Sequence, residues 1–308
     1  MSTPVQHTTT TGPSAQRMRR IGLLVHPTRN LDEPLRLLAE WAREHGVEVI
    51  QLNAPYPQRA VAERGDPTDC DLIVSIGGDG TTLAALRAGA IAKRPVLGIA
   101  CGSLGALANV MFADAHRALD RFSRGEWTAR RFPALSIARS AGESLFALND
   151  VALVRATGGQ VRLTATVDGA LFARIAGDGA VVSTPIGTSG YAISAGGPLF
   201  LPHVDGYVFT PLPKHGGFAP PLVIASQSEL TLDVAGSFAG ARLEVDGQIV
   251  GDCAGEMVIT FRPGVVTQVG FDDQEPLLSG LRRRRILLDS PRLLAEADRE
   301  ALNRLAGS

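Results

Sequence analysis

The sequence predicts two domains: an N-terminal α/β domain around an open parallel sheet, then a mostly antiparallel C-terminal β-sandwich. Three observations carry this. Up to about residue 131, short apolar runs alternate with helical patterns. From about Phe132 the runs alternate polar and apolar residues, and almost no helical stripe survives. Each half also holds one glycine-rich stretch placed where a strand ends. The expected bounds are a disordered tail over 1–18, the α/β domain over 19–131, the sandwich over 132–274, and a segment, 275–308, that returns to the first domain.

Bulk properties narrow the function. The chain has 308 residues, 45% hydrophobic and 20% charged, with a formal net charge of -1. That balance gives no overall attraction to nucleic acid or to a membrane surface. Cys70, Cys101 and Cys253 follow no metal-ligand spacing and suggest reduced thiols. No apolar run approaches the ~20 residues that span a bilayer. A cytoplasmic location is expected.

The elements then follow in order. Ile21–Val25 reads as a buried parallel strand leading into the loop His26-Pro27-Thr28-Arg29-Asn30. Pro34, Leu35, Leu38, Trp41 and Ala42 mark a helix that Gly46 stops, and Val47–Leu52 is the next strand. Leu72–Ile76 is a third strand and ends in Gly77-Gly78-Asp79-Gly80-Thr81. Leu83, Leu86 and Ala90 start a helix there, Val96–Ala100 forms a strand, and Asp114–Trp127 forms another helix. Alternation of this kind implies right-handed crossovers and a Rossmann-like sheet, whose ligands gather at the carboxyl ends of the strands.

In the second half, strands are expected at Leu135–Ala138, Leu145–Val154, Val161–Val167, Leu171–Ile175, Ala180–Ser183, Leu230–Val234, Ala241–Val245, Met257–Phe261 and Val265–Val269. Asp168-Gly169 and Asp246-Gly247 are expected hairpin turns. A short helix is expected after Thr188.

The first glycine turn has the chemistry of a phosphate cradle. Glycines let the backbone approach an anion, and a helix start offers N–H groups that the helix itself cannot satisfy. Asp79 is out of place beside phosphates unless it binds a metal or takes a proton from an attacking hydroxyl. The alternative is that it merely caps the helix. The second stretch, Gly177 to Pro198, is dense in hydroxyls and glycine and carries Tyr191. Such a loop can hold ribose, phosphate and a base, or be a loop with no ligand.

Together these motifs resemble the NAD kinase family, over about residues 21–270. Three stretches match in order: Gly77-Gly78-Asp79-Gly80-Thr81, the pair in Ala147-Leu148-Asn149-Asp150-Val151, and Gly177 to Pro198. Thr210-Pro211, His215 and Asp246-Gly247-Gln248 are weaker echoes. The resemblance implies transfer of the terminal phosphoryl group of ATP, or of another donor, to the 2′-hydroxyl of the adenosine ribose of NAD. It implies Asp79 as general base, with Gly78, Gly80 and Thr81 at the triphosphate and Mg²⁺. Asn149 and Asp150 would hold the adenosine, and Asp178 the nicotinamide ribose. Thr188, Ser189, Gly190, Tyr191 and Ser194 would line the adenine and ribose pockets, joined by His215 and Gln248. The resemblance also implies a homodimer or homotetramer.

The chain departs from the family pattern at several points. Ile186 stands where the family carries a hydroxyl, Gly190 where it carries alanine, Ser103 where it carries arginine and Ala106 where it carries phenylalanine. These departures motivate two further readings: the same chemistry on another nucleotide or nucleoside, or a nucleotide-binding regulator without turnover. No metal ligands are assigned, and His26 and His203 read as surface or structural histidines. The run Arg282–Arg285 reads as a solvated face, with an anion or interface clamp as the alternative.

Overall fold

In a computed structural model, the protein is described over residues 18–293, apart from 141, 143 and 236–239, together with 296 and 299. The expected tail over 1–18 lies outside these residues except for Met18, which is buried against the first core at 5% exposure.

The first half contains β1 (Arg20–Val25), α1 (Asp32–His45), β2 (Glu48–Gln51), β3 (Leu72–Gly77), α2 (Asp79–Ala92), β4 (Val96–Ala100), β5 (Val110–Met111) and α3 (Ala115–Ser123). Its parallel strands run in the order β2-β1-β3-β4, with β5 beside β4. β1 therefore connects to one neighbour on each side, and the order of the chain reverses between β1 and β3. That reversal opens a crevice at the carboxyl ends of these two strands. Local chemistry explains the boundaries. Gly46 stops α1 in a left-handed conformation, φ 64°, donating its N–H to the carbonyls of Ala42 and Arg43. α3 is shorter than expected because Ser123 ends it before Gly125, φ 74°. The two faces of the sheet bury separate cores. One gathers Leu23, Leu38, Trp41, Ile76 and Leu119; the other gathers Leu24, Leu52, Ile73, Leu86 and Val96. Each fully buried Leu or Ile contributes about 1.5–3 kcal/mol.

The second half contains β6 (Thr128–Arg139), β7 (Ser144–Ala147), β8 (Asp150–Arg155), β9 (Val161–Val167), β10 (Ala170–Gly177), β11 (Gly179–Ser183) and α4 (Tyr191–Ser194). It continues with β12 (Gly206–Pro211), β13 (Leu222–Ala225), β14 (Leu230–Val234), β15 (Ala241–Val245), β16 (Gln248–Cys253), β17 (Gly255–Gly270) and finally α5 (Leu277–Arg283). A six-stranded antiparallel sheet in the order β13-β12-β11-β8-β15-β16 packs on the other strands around Leu135, Leu163, Tyr207, Phe209, Leu243 and Ile259. Both expected hairpins form. Asp168-Gly169 and Asp246-Gly247 each have two successive positive φ angles, 50° and 78° in the first and 50° and 74° in the second, as a two-residue type I′ turn requires.

Three further details differ from the sequence expectation. Leu145–Val154 is not one strand: the chain leaves β7 in the large sheet and enters β8 in the six-stranded one, with Leu148-Asn149 at the corner. Met257–Phe261 and Val265–Val269 fuse into β17, whose register against β6 shifts between Arg262 and Val266. Pro263 and Pro133 lie at that shift, where a missing N–H interrupts the ladder. The end of β17 also pairs in parallel with β4, Gln268 against Val96, so the 11-stranded sheet runs through both halves.

Candidate active site

The crevice between β1 and β3 is a cleft of about 430 Å³ lined by His26, Arg29, Tyr56, Gly78, Asp79, Gly80, Thr81, Arg87, Asp246 and Gln248 among others. It unites five of the residues singled out by sequence: Gly78, Asp79, Gly80, Thr81 and Gln248. A Cβ built on Gly78 or Gly80 meets nothing within 4 Å, so both backbones face open space. Gly77 differs, because a Cβ there would lie 2.4 Å from Thr81 Oγ1. Thr82 Oγ1 donates to the Gly78 carbonyl at 3.1 Å, which braces the turn from below. α2 begins at Asp79, so its first-turn N–H groups open onto this cleft.

Asp79 does not cap its own helix. Its carboxylate reaches across to a neighbouring loop and accepts from the backbone N–H groups of Ala106 at 2.9 Å, Leu107 at 2.9 Å and Ala108 at 3.0 Å. Arg284 donates to the same Oδ2 at 3.3 Å. Gly105 makes room for this arrangement, since a Cβ on it would overlap Asp79 Oδ1. The solvated-face reading of the arginine run therefore fails at Arg284. Its neighbours pair locally: Arg283 with Glu275 and the Leu104 carbonyl, and Arg282 with Asp289.

Asp246 joins the glycine turn to the Asn149 corner. Its carboxylate, 1% exposed, accepts from the N–H groups of Leu148, Asn149 and Asp150 and pairs with Arg87 of α2. The corner it holds displays unmet chemistry. Asn149 Oδ1 is buried and has no hydrogen-bond partner among the described residues. Such an atom costs about 1–3 kcal/mol unless something else bonds it. Asp150 is pushed up to about 7, first by burial and then by the nearby charges of Asp246 and Glu244.

A second cleft, of about 410 Å³, holds Asp178, Tyr191, Ser194 and Lys214. Arg155 sits 3.3 Å from Asp178, and burial raises the Tyr191 phenol. The hydroxyls of the connecting loop bond mostly inward. Thr188 is fully buried, donates to the Pro185 carbonyl at 2.7 Å and accepts from Phe200 N–H at 3.0 Å. Ser189 donates to the Ile186 carbonyl and Ser194 to that of Gly190, at 3.3 and 3.2 Å. Ile186 packs into the core beneath β3, so it shapes the loop from inside. Gly190 forms the C-cap of a single 3-10 turn. His215 is exposed on the loop after β12, tied to the Ala176 carbonyl through its backbone.

Sequence reasoning did not single out Arg29, Tyr56, Arg87 or Asp246 as site residues. Arg87 was within reach, because 79, 83 and 87 share one helix face. Asp246 was read as a turn residue and as part of a weaker echo of the family pattern, but not as a site residue. Tyr56 carried no signal, and its hydroxyl is buried at the edge of the cleft. His26 lines the cleft, yet its Nδ1 accepts from the N–H groups of Thr28 and Arg29, both at 3.2 Å, in keeping with a structural histidine. Burial lowers its pKa, and Arg29 adds to the effect.

A glycine cradle at a topological switch point, a carboxylate beside it and an unpartnered amide at the corner that Asp246 ties to the cleft define an α/β phosphate-transfer protein of the nucleotide-handling kind. Comparison with known proteins narrows this. The model of the ATP-NAD kinase N-terminal domain matches residues 21–127, and that of the ATP-NAD kinase C-terminal domain matches residues 148–267. An NAD kinase from Acinetobacter baylyi is 34% identical over 84% of this chain and 90% of its own length. One from Acidobacterium capsulatum is also 34% identical, over 78% and 89%. The crystal structure of an NAD kinase from Archaeoglobus fulgidus in complex with ATP superposes with a TM-score of 0.68 at 28% identity, covering 85% of this chain and 98% of that one. Yeast NADH kinase complexed with NADH shares the fold, with a TM-score of 0.74 at 21% identity over 90% and 93%. The chain belongs to the ATP-NAD kinase family, and it is a kinase.

Proposed function

We propose that this protein transfers the terminal phosphoryl group of ATP to the 2′-hydroxyl of the adenosine ribose of NAD, giving NADP. One observation carries the reading. Asp246 physically joins the cleft containing Gly78, Asp79 and Gly80 to the corner bearing Asn149 and Asp150. The triphosphate lies on the glycine backbone and the α2 first turn, within reach of Arg29. The adenosine presents a donor to Asn149 Oδ1 and ribose hydroxyls to Asp150. Asp178, Tyr191, Ser194 and His215 hold the rest of the dinucleotide.

Asp79 takes the proton of the attacking hydroxyl. A carboxylate offers about four lone-pair positions, and all four are occupied by Ala106, Leu107, Ala108 and Arg284. The three amides belong to a fixed loop, whereas Arg284 makes the longest of the contacts, at 3.3 Å. Arg284 is therefore the partner that yields Oδ2 to the substrate hydroxyl. Transfer is direct: the ribose hydroxyl attacks the terminal phosphorus while Asp79 takes its proton, without a phosphoenzyme.

Among the described residues no cluster of three His, Cys, Asp or Glu side chains can hold a metal alone. Mg²⁺ would enter with the triphosphate, held chiefly by its phosphate oxygens, and would neutralise charge on the transferred group. We also infer a homo-oligomer, a dimer or tetramer, in the cytoplasm. Exposed Val223 and Ile249 on the two outer strands of the six-stranded sheet, with Phe218 nearby, support a subunit contact there. Gel filtration reads the state.

The deciding experiment incubates the protein with ATP, Mg²⁺ and NAD and follows NADP. Asp79→Asn is expected to lower turnover by about 10²–10⁴-fold while the protein still melts cooperatively. Unchanged turnover in that variant removes Asp79 as base. NAD binding without NADP under any donor supports a regulator instead.

A further inference from the structure

The opposite edge of the parallel sheet carries a cavity that phosphoryl transfer does not use. It measures about 690 Å³ and lies where β3 and β4 begin and α2 ends, a size typical of small-molecule sites. Phe122 and Trp127 form an aromatic wall, their rings 5.3 Å apart and tilted by 32°. Lys93, Arg94 and Arg131 line it, against one acid, Asp71. That acid is already engaged, accepting from the N–H groups of Arg19 and Arg20 at 2.7 and 3.0 Å.

The cationic groups facing this space are not neutralised by carboxylates of the described residues. The structure shows no carboxylate partner for Lys93 or Arg131 among the described residues. Arg94 donates to the Thr68 carbonyl at 2.6 Å, but its Nε is buried without a partner. Trp127 is only 8% exposed, so its ring forms a packed wall rather than a free surface. Lys93 adds a backbone observation. It holds the left-handed cap position after α2 at φ 55°, where glycine is the usual residue and a side chain costs about 1–2 kcal/mol. Lys93 lines the cavity from this position.

We propose that this cavity is a second ligand site, taking a small organic anion with an aromatic ring, and that α2 couples it to the phosphate cleft. The ring lies against Phe122 and Trp127, and the anionic group meets Lys93, Arg94 and Arg131. α2 begins at Asp79, carries Arg87 in its middle and ends beside Lys93. Its 14 residues place the two sites about 20 Å apart on one rigid element. Occupation of the cavity alters the position of the α2 first turn and hence the affinity for the triphosphate. The coupling rests on the kinase reading; the binding does not.

The test uses the full chain with Trp41→Phe, leaving Trp127 as the only tryptophan of the two in the sequence. The probes are 1-anilinonaphthalene-8-sulfonate and its uncharged analogue N-phenyl-1-naphthylamine, read by quenching of Trp127. The sulfonate is expected to bind one-to-one, at least about tenfold more tightly than the neutral probe. Lys93→Gln and Arg131→Gln should each weaken it by about tenfold, as loss of a charge-assisted bond does, at unchanged melting temperature. Should Trp41→Phe disturb folding, the native chain compared with Trp127→Phe reads the same signal. Equal binding of both probes, or no change in the two variants, overturns the site. Sulfonate binding that appears only after removal of residues 1–17 also overturns it, in favour of the chain's own N-terminal segment as occupant. In turnover assays a saturating probe should shift the KM for ATP by at least about twofold. An unchanged KM beside confirmed binding overturns the coupling, and the fluorescence arm still reports the site if NAD is not the acceptor.

Discussion

The two glycine-rich stretches look alike in composition and differ in what their glycines face. At Gly78 and Gly80 an added Cβ meets nothing within 4 Å. In the second stretch nearly every glycine lies against protein. A Cβ would come within 2.3 Å of the Pro213 carbonyl from Gly177, 2.0 Å of the Asn149 carbonyl from Gly187 and 2.6 Å of Thr210 Oγ1 from Gly197, and at Gly179 it would overlap the Leu153 carbonyl. The first stretch uses glycine to leave room for a ligand. The second uses it to let β11 and its loop press against β8 and the Asn149 corner. Glycine richness alone therefore does not mark where a phosphate binds; the emptiness above the backbone does.

The largest expected effect breaks the second stretch. Gly179 combines a φ of 131° with that overlap, so Gly179→Ala faces both backbone strain and a clash with no flexible atom to yield. A loss of more than about 4 kcal/mol is expected, enough to leave a marginally stable protein unfolded. Circular dichroism and solubility read this. A well-folded Gly179→Ala protein would mean that β11 and β8 are less closely packed than described.

The two stretches meet at Asn149 and Asp150, where pH provides a sharper test. Asp150 is pushed up to about 7 from an ordinary carboxylate value, chiefly by burial and then by Asp246 and Glu244. Its folded pKa lies above its unfolded one, so the native state binds the proton more tightly. Stability is greatest below the unfolded pKa of about 4 and falls as pH rises toward 7, by up to about 1.4 kcal/mol per unit. Melting temperature followed from pH 4 to pH 8 should decline more steeply in the native protein than in Asp150→Asn. Parallel curves would remove Asp150 as the source.

The sequence disclosed these features unevenly, for physical reasons. The parallel strands were visible because burial on both faces makes continuous apolar runs, such as Leu72–Ile76. Asp168-Gly169 and Asp246-Gly247 were visible because only a few residues tolerate two positive φ angles in succession. The break between β7 and β8 was hidden, since Leu148 is as buried as a strand residue, while a distant carboxylate turns the chain there. Asp246 acts 97 positions from Asn149 and Arg284 acts 205 from Asp79. Neither spacing leaves a local trace. Gly78 and Gly187 are likewise indistinguishable as letters, because their difference lies in what the fold brings above them.

A smaller effect separates binding from folding in the first stretch. Gly80→Ala adds one methyl into open space inside α2, where alanine is a better helix former than glycine by about 1 kcal/mol. The melting temperature should hold or rise slightly. The KM for ATP should rise by about tenfold, as the methyl keeps a phosphate from the backbone. Unchanged affinity for ATP would move the triphosphate away from Gly80.

The smallest expected effect concerns Gly190, read from the sequence as standing where the resemblance carries alanine. An added Cβ would sit 3.3 Å from the Gly187 carbonyl. That contact is tight rather than forbidden, so the single 3-10 turn over Gly187–Ser189 must give by a few tenths of an ångström. Gly190→Ala should change stability by less than about 1 kcal/mol, in contrast to Gly179→Ala eleven positions earlier in the same stretch. Because Ile186 is anchored in the core and Thr188 is bonded at both ends, the turn has little slack, and any shift passes to Tyr191 at the start of α4. A change of more than about threefold in the KM for NAD, at unchanged melting temperature, would show that Gly190 sets the position of Tyr191 in the second cleft. An unchanged KM would show that glycine and alanine are equivalent there, so that the missing methyl group leaves the second cleft intact.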